Sequence, residues 1–199
     1  MSSLRSRIHI VDDDDITLWM FRELLQQLHA EVLSYASAHA FLASYYPFPS
    51  ECLVCDLRMP ELGGLQVQQH LQQAQRQVPI IFVSGQPDVR SAVEAMKCGA
   101  FDFLEKPVNG RLLLEKVQCA LAHCRDLHAQ QVAASTQLAR RALLTPRELQ
   151  IAELLVQGKS SSQIGHELAI STRTVENHRA RLKDKLHISS TAELVRLFL

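Results

Sequence analysis

Through the first 125 residues, short apolar runs alternate with amphipathic stretches. Ile8–Val11, Glu31–Tyr35, Cys52–Cys55, Ile80–Val83 and Ala100–Leu104 read as strands. Helices are predicted between them, near 15–28, 37–45, 63–74, 88–98 and 109–125; Phe21, Leu24, Leu25 and Leu28 form one i, i+3, i+4, i+7 stripe. Five strands alternating with five helices predict βαβ units, hence an α/β domain with a doubly wound parallel sheet covered on both faces. The glutamines at 66, 68, 69, 72, 73, 75 and 77 read as the solvated face of the third helix.

The pattern changes near residue 126. Asp126 to Ala142 is rich in Ala and Gln and lacks Gly and Pro, which predicts a helical linker or an extension of the preceding helix. Strand signals then cease. Thr145-Pro146-Arg147-Glu148 is a helix start, with a Thr N-cap, Pro at the first helical position and Glu at the capping-box position. Leu149, Ala152, Leu154 and Val156 follow as a stripe that Gly158 ends. Further helices fit 161–168, 172–186 and 191–198, so residues 143–199 form a small all-α module of four helices. The chain therefore divides into an α/β domain over 1–125, a linker over 126–142 and a helical domain over 143–199.

Composition adjusts this picture in two places. The formal net charge is zero, which at first argues against a nucleic-acid partner. The zero is a cancellation: residues 1–125 hold 11 Lys and Arg against 14 Asp and Glu, and residues 126–199 hold 10 against 7. If the acidic half shields the basic one, the full chain should bind DNA more weakly than residues 140–199 at matched salt. No apolar run reaches the roughly 20 residues of a membrane helix, and Met1 to Val11 lacks a secretory h-region, so a soluble, cytoplasmic protein is expected. The five cysteines are odd in number, and Cys52 and Cys55 sit on a strand with side chains on opposite faces. Reduced core thiols are the expectation for that pair.

Ligands of a doubly wound sheet bind beyond the carboxyl ends of its strands. There the first strand delivers Asp12 and Asp13, the third Asp56, the fourth Ser84 and the fifth Lys106. Three carboxylates crowded together call for a hard cation such as Mg²⁺, which also takes phosphate oxygens. One carboxylate can act as nucleophile toward phosphorus, with Lys106 and Ser84 stabilising the phosphoryl oxygens. Asp14 and Asp15 are more simply the acidic start of the first helix.

Val11-Asp12-Asp13, Asp56-Leu57-Arg58-Met59-Pro60, Val83-Ser84-Gly85 and Phe103-Leu104-Glu105-Lys106-Pro107 together resemble the receiver domains of two-component response regulators, over about residues 5–125. The resemblance implies a flavodoxin-like five-stranded fold with Asp56 as the phosphorylation site. It also implies Mg²⁺ held by Asp13, Asp56 and the backbone carbonyl of Arg58, with Asp12 acting through water. Ser84 and Phe103 would be the switch pair, the hydroxyl swinging toward the phosphoryl group and the ring following inward. Phe103 stands where many receivers carry Tyr. Lys106-Pro107 matches the family's cis peptide.

In the basic half, Ser160 to Leu186 has helix-turn-helix spacing, with a tight connection at Ala169-Ile170-Ser171 and Ser171 available as a cap. Val175, Leu182 and Leu186 share one face of the second helix, with His178 between them as a packed, hydrogen-bonded residue. Residues 171–185 carry five Lys and Arg against two acids, suited to a major groove. Leu144-Thr145-Pro146-Arg147-Glu148, Gln163-Ile164-Gly165 and Ser171-Thr172-Arg173-Thr174-Val175-Glu176-Asn177-His178 resemble the LuxR-type helix-turn-helix, with Gly165 in place of the usual Ala. That resemblance implies Glu176, Asn177 and Ala180 near base edges, and Lys159, Arg173, Arg179, Arg181 and Lys183 toward phosphates. Receiver and module together look most like the FixJ/NarL type.

The resemblance implies a transcription regulator, not an enzyme. Its partners would be a sensor histidine kinase, double-stranded DNA, RNA polymerase and a second copy of the chain once phosphorylated, with no membrane partner. Two other classes share parts of the pattern. An aspartate-nucleophile phosphatase usually has an acid two residues after the nucleophile, where this chain has Arg58. A ligand-sensing LuxR-type regulator leaves Asp12, Asp13, Asp56 and Lys106 without a role.

Overall fold

The structure is a computed structural model and describes residues 6–85 and 89–198. Met1–Arg5, part of the N-terminal stretch read above, and Asp88, where the fourth helix was expected to begin, lie outside the described residues. The chain forms two compact units that divide between Ala129 and Gln130.

The first unit is built on β1 (Arg7–Val11), β2 (Glu31–Tyr35), β3 (Glu51–Asp56), β4 (Ile80–Ser84) and β5 (Asp102–Glu105). All pair in parallel, in the order β2-β1-β3-β4-β5. The central strands β1, β3 and β4 are buried along their whole length, as their unbroken apolar runs require. Helices α1 (Asp15–Leu25), α2 (Ala38–Ser44), α3 (Gly64–Gln73), α4 (Val89–Lys97) and α5 (Gly110–Ala142) connect and follow them.

Strand alternation sends successive side chains to two separate cores. Ile8, Ile10, Cys52, Val54, Ile81 and Val83 meet α1 and α5 through Phe21, Leu25, Leu113 and Val117. Val11, Leu53, Cys55, Ile80 and Phe82 meet α2, α3 and α4 through Phe41, Val67, Leu71 and Ala95. Cys52 and Cys55 thus lie in opposite cores as free, buried thiols, and burial raises both well above the ordinary thiol range.

Three readings change. The first α-helix ends at Leu25 and tightens into a 3-10 turn over Gln26–Leu28, closed by His29 in the left-handed region at φ 54°. The last strand begins at Asp102, two residues later than its apolar run. The glutamine face is not wholly solvated. Gln68 is 2% exposed, and its Nε2 donates to the carbonyls of Cys98 (2.9 Å) and Ala95 (3.4 Å), clasping the end of α4. Residues 126–142 continue α5 as one helix of 33 residues.

The second unit holds α6 (Pro146–Val156), α7 (Ser161–Glu167), α8 (Thr172–Leu186) and α9 (Thr191–Phe198) around its own core, centred on Ile151, Ile164, Val175, Leu182 and Leu194. Its helix ends follow the sequence chemistry. Thr145 and Glu148 form the expected capping box, and Gly158, at φ 83°, lets the chain turn out of α6. The buried face of α6 is Glu148, Ile151, Ala152, Leu154 and Leu155, with Leu149 and Val156 only half-buried.

Glu148 does more than cap. Its carboxylate, 4% exposed, accepts from the ammonium of Lys185 at 2.7 Å and from the amide of Thr145 at 2.9 Å, so α8 is tied to the start of α6. The Lys185 hydrogen bond, with the cap bonds, holds the carboxyl down to about 2. A folded pKa below the unfolded value, roughly 4.5, gives stability that is complete above about pH 4.5 and lost as pH falls toward 2. Lys185 is 38% exposed, so solvent screening discounts the contribution to about 1–2 kcal/mol. Glu148→Gln should lower the unfolding midpoint of the helical unit at pH 7 and flatten its decline below pH 5. Parallel pH profiles for the two proteins, followed by circular dichroism, would contradict this reading.

Candidate functional sites

The strand order reverses direction between β1 and β3, and at that point two neighbouring loops splay apart and leave a crevice. Asp12 follows β1 and is 1% exposed, with its amide donating to the Tyr35 carbonyl at 3.2 Å. Asp56 is the last residue of β3 and 8% exposed, and the amide of Arg58 donates to its Oδ1 at 2.9 Å. Ser84 ends β4 and is fully buried. Lys106 follows β5, whose pairing with β4 extends through the Lys106 amide to the Ser84 carbonyl at 2.8 Å. The Lys106–Pro107 peptide is cis, as the resemblance implied.

These elements bring the predicted polar residues together. The ammonium of Lys106 donates to Oδ2 of Asp12 at 2.7 Å and to Oδ2 of Asp56 at 2.6 Å. Carboxylate oxygens of Asp12, Asp13 and Asp56 lie within 4.8 Å of one another, Asp13 being the exposed member. Asp56, Arg58, Ser84, Gly85 and Lys106 line an open depression of about 390 Å³.

The electrostatics follow from two carboxylates, Asp12 and Asp56, sharing one ammonium. Burial raises the Asp12 carboxyl above its ordinary range, Lys106 opposes that shift, and the nearby Asp56 charge adds to it. Burial alone would depress Lys106, but its bonds to Asp12 and Asp56 carry it above its usual value, so it stays cationic. Asp12, Asp13 and Asp56 together offer a cluster of hard carboxylate oxygens, the ligand type Mg²⁺ takes. The donor set fits that ion.

Two neighbours complete the site. Phe103 is half-buried on β5, in register with Phe82, and packs on the core under α2–α4. Gly64, to which the sequence pattern assigned no role, brings α3 against the end of β3: a Cβ there would meet the Asp56 carbonyl at 2.5 Å. Its signal was the Gly63-Gly64 pair a few residues after Asp56. Asp14 is the N-cap of α1, accepting from the Ile16 amide at 3.1 Å, and Asp15 is the first helical residue.

In the helical unit, α7 and α8 are joined by a turn in which Ala169 takes φ 52° and the Ile170 amide reaches back to the Gly165 carbonyl at 2.9 Å. Ser171 caps α8 by accepting from the Thr174 amide at 3.1 Å. Gly165 proves to be a close-approach position: a Cβ would meet the Ile170 carbonyl at 2.8 Å, so the methyl of Ala requires this turn to open. The cost in helix propensity is offset by a tighter connection. His178 is half-buried as expected, but its Nδ1 is buried without a hydrogen-bond partner, against the expectation of a hydrogen-bonded ring.

Of the eight predicted DNA contacts, Arg173, Glu176, Asn177, Ala180 and Arg181 are exposed along α8. Glu176 and Arg179 face each other at 3.1 Å, and both bond to the Ser161 hydroxyl of α7. Arg179 also reaches Thr191 of α9 at 3.4 Å. Lys159 pairs with Glu167, and Lys183 is half-buried beside Leu155 and Leu194. Ser161 had no signal in the sequence, because its partners are set by the α7–α8 crossing.

Known proteins resemble the chain along its whole length. The family model described as "Response regulator receiver domain" matches residues 8–118, and that of "Bacterial regulatory proteins, luxR family" matches residues 142–198. The transcriptional regulatory protein FixJ of Azorhizobium caulinodans is 38% identical over 96% of this chain and 91% of its own length. The response regulator protein TmoT of Ectopseudomonas mendocina is 37% identical over 99% and 90%. Among solved structures, the response regulator StyR matches with a TM-score of 0.86 and 33% identity, over 97% of this chain and 98% of its own. Full-length FixJ from B. japonicum matches with a TM-score of 0.60 and 35% identity, over 98% and 96%.

Proposed function

Since the chain belongs to the two-component response regulators of the FixJ/NarL type, transcriptional regulators that join a receiver to a LuxR-type DNA-binding domain, we propose that Asp56 is its phosphoacceptor and α8 its recognition helix. The observation that carries the reading is the Lys106 ammonium bridging Asp12 and Asp56 at the β1/β3 crevice. Receiver domains bind Mg²⁺ at this acidic site. Here Asp12, Asp13 and Asp56 would hold it, with the Arg58 carbonyl; when bound, the ion neutralises charge on the transferring phosphoryl oxygens.

The residues then divide the work. A carboxylate oxygen of Asp56 attacks the phosphorus carried on a histidine nitrogen of the sensor kinase. A P–O bond forms, the P–N bond breaks, and its electron pair stays on the imidazole, which takes up a proton. Lys106 holds the non-nucleophilic edge of the site and meets the charge that develops on phosphorus-bound oxygen. Ser84 turns toward the new phosphoryl group and vacates space that the Phe103 ring follows into. The receiver over 1–125 and the DNA-binding domain over 143–199, joined by 126–142, act in the cytoplasm, where the phosphorylated chain dimerises on DNA and engages RNA polymerase. The reading is tested by intact-mass measurement of phosphoryl uptake from acetyl phosphate with Mg²⁺; no uptake would contradict it.

On DNA, the exposed residues of α8 have separate tasks. Asn177→Ala should cost about 1–3 kcal/mol against the preferred base and relax preference at that position only. Arg173→Ala and Arg181→Ala should instead weaken all duplexes alike, each lowering the salt slope by about one. Glu176 and Arg179, bonded to Ser161, serve more to fix α8 on α7. Binding isotherms at several salt concentrations separate the two behaviours, and a sequence-dependent loss for Arg181→Ala would reverse its assignment.

A further inference from the structure

We propose that α4 works as a lever whose fulcrum is a side-chain clasp on its carboxyl end, supplied by Gln68 and Gln72 of α3. The swing rests on Asp56 being the phosphoacceptor; the clasp does not. The two helices are held to the sheet very differently. α3 buries Gly64, Val67, Gln68 and Leu71, and its first turn lies so close that a Cβ on Gly64 would meet the Asp56 carbonyl and the Phe82 ring. α4 buries Ala95 alone, while Val89 is 80% exposed and Val93 and Met96 are nearly half so.

The last carbonyls of a helix have no amide of a following turn to accept from. At the end of α4 they are met from outside. Gln68 Nε2 donates to the Cys98 carbonyl at 2.9 Å and to that of Ala95 at 3.4 Å, and Gln72 Nε2 also donates to Cys98. The Ala95 carbonyl takes the Ala100 amide as well, at 3.0 Å, and Gly99, at φ 81°, turns the chain toward β5. Gln68 is 2% exposed, and its Oε1 takes no donor among the described residues, so the polar contact of this buried amide is donation to α4. Fixed contacts therefore gather at one end of the helix. No residue from Val89 to Glu94 is buried, and this is the half that follows β4 and Ser84. Rearrangement of Ser84 and Phe103 on phosphorylation then reaches α4 at its loosely packed end, and the helix swings about the end that α3 holds.

Amide hydrogen exchange of the full chain tests this. Gln68→Met keeps the length of the side chain and removes its donors; Gln72→Ala changes an exposed position. Without phosphodonor, exchange at Cys98, Gly99 and Ala100 should quicken about tenfold in the first variant and about threefold in the second. Exchange at Val54 and Cys55 in β3 should match the wild type, which reports an intact sheet. With acetyl phosphate and Mg²⁺, the wild type should change several-fold at Val93 and Glu94 but less than about twofold at Cys98 to Ala100, and Gln68→Met should change at both ends. The proposal is overturned if Gln68→Met, with β3 intact, leaves Cys98 to Ala100 at the wild-type rate; if that variant disturbs β3, the same result in Gln72→Ala overturns it. It is equally overturned if phosphorylation of the wild type moves the carboxyl end as much as the amino end. A wild-type chain that takes up no phosphoryl group would contradict the role of Asp56 instead, and the comparison without phosphodonor would still decide the clasp.

Discussion

Asp56→Asn is expected to abolish phosphoryl uptake from acetyl phosphate, with no phosphorylated species in the intact mass spectrum at any Mg²⁺ concentration. An amide oxygen is too weak a nucleophile for phosphorus, and no neighbour can substitute. Asp12 is buried and bonded to Lys106, and Asp13 stands at the exposed rim. The Asn side chain has a single acceptor oxygen, so it keeps one of the two bonds that position Asp56, the Arg58 amide to Oδ1 or the Lys106 ammonium to Oδ2, and loses the other. A native circular dichroism spectrum together with lost uptake isolates the chemical role. Residual uptake near the wild-type level would move the acceptor to another carboxylate.

Lys106→Met should separate two properties that a structural defect would lower together. Phosphoryl uptake should fall about 10²- to 10³-fold, the usual loss when one preorganised charge stabiliser is removed. Mg²⁺ affinity should rise. The ammonium stands 2.6–2.7 Å from carboxylate oxygens of Asp56 and Asp12 and competes electrostatically with any cation they hold. The variant therefore binds the ion better and uses it worse. Calorimetric Mg²⁺ titration beside the uptake assay gives both numbers, and a parallel fall in the two would mean that Lys106 only maintains the fold of the crevice.

Much of this crevice was readable before any coordinates, for a physical reason. In a parallel sheet the residue following each strand is committed to one edge, so locating β1, β3, β4 and β5 already gathers Asp12, Asp56, Ser84 and Lys106. The helix starts at Thr145 and Ser171 were equally local, since a cap needs only its own next few residues. The features that escaped depend on contacts between elements. Gln68 looked like its solvated neighbours although it follows Val67 and precedes Leu71 on the buried side of α3, where a polar residue must find partners. The bonds of Glu176 and Arg179 to Ser161, and of Arg179 to Thr191, could not be read either, because nothing in α8 alone reveals those neighbours. Gly64 and Gly165 are explained by backbone approaches of 2.5 and 2.8 Å that only the packed chain creates.

The proposed function couples the two units: a phosphoryl group on Asp56 governs how α8 binds DNA. The decisive measurement is the affinity of the full-length chain for a duplex selected by that chain from random sequence, with and without acetyl phosphate at fixed Mg²⁺ and salt. The wild-type chain should gain at least about tenfold, equivalent to roughly 1.4 kcal/mol, and Asp56→Asn should not change. An equal affinity with and without the phosphodonor, or the same gain in Asp56→Asn, would contradict the coupling.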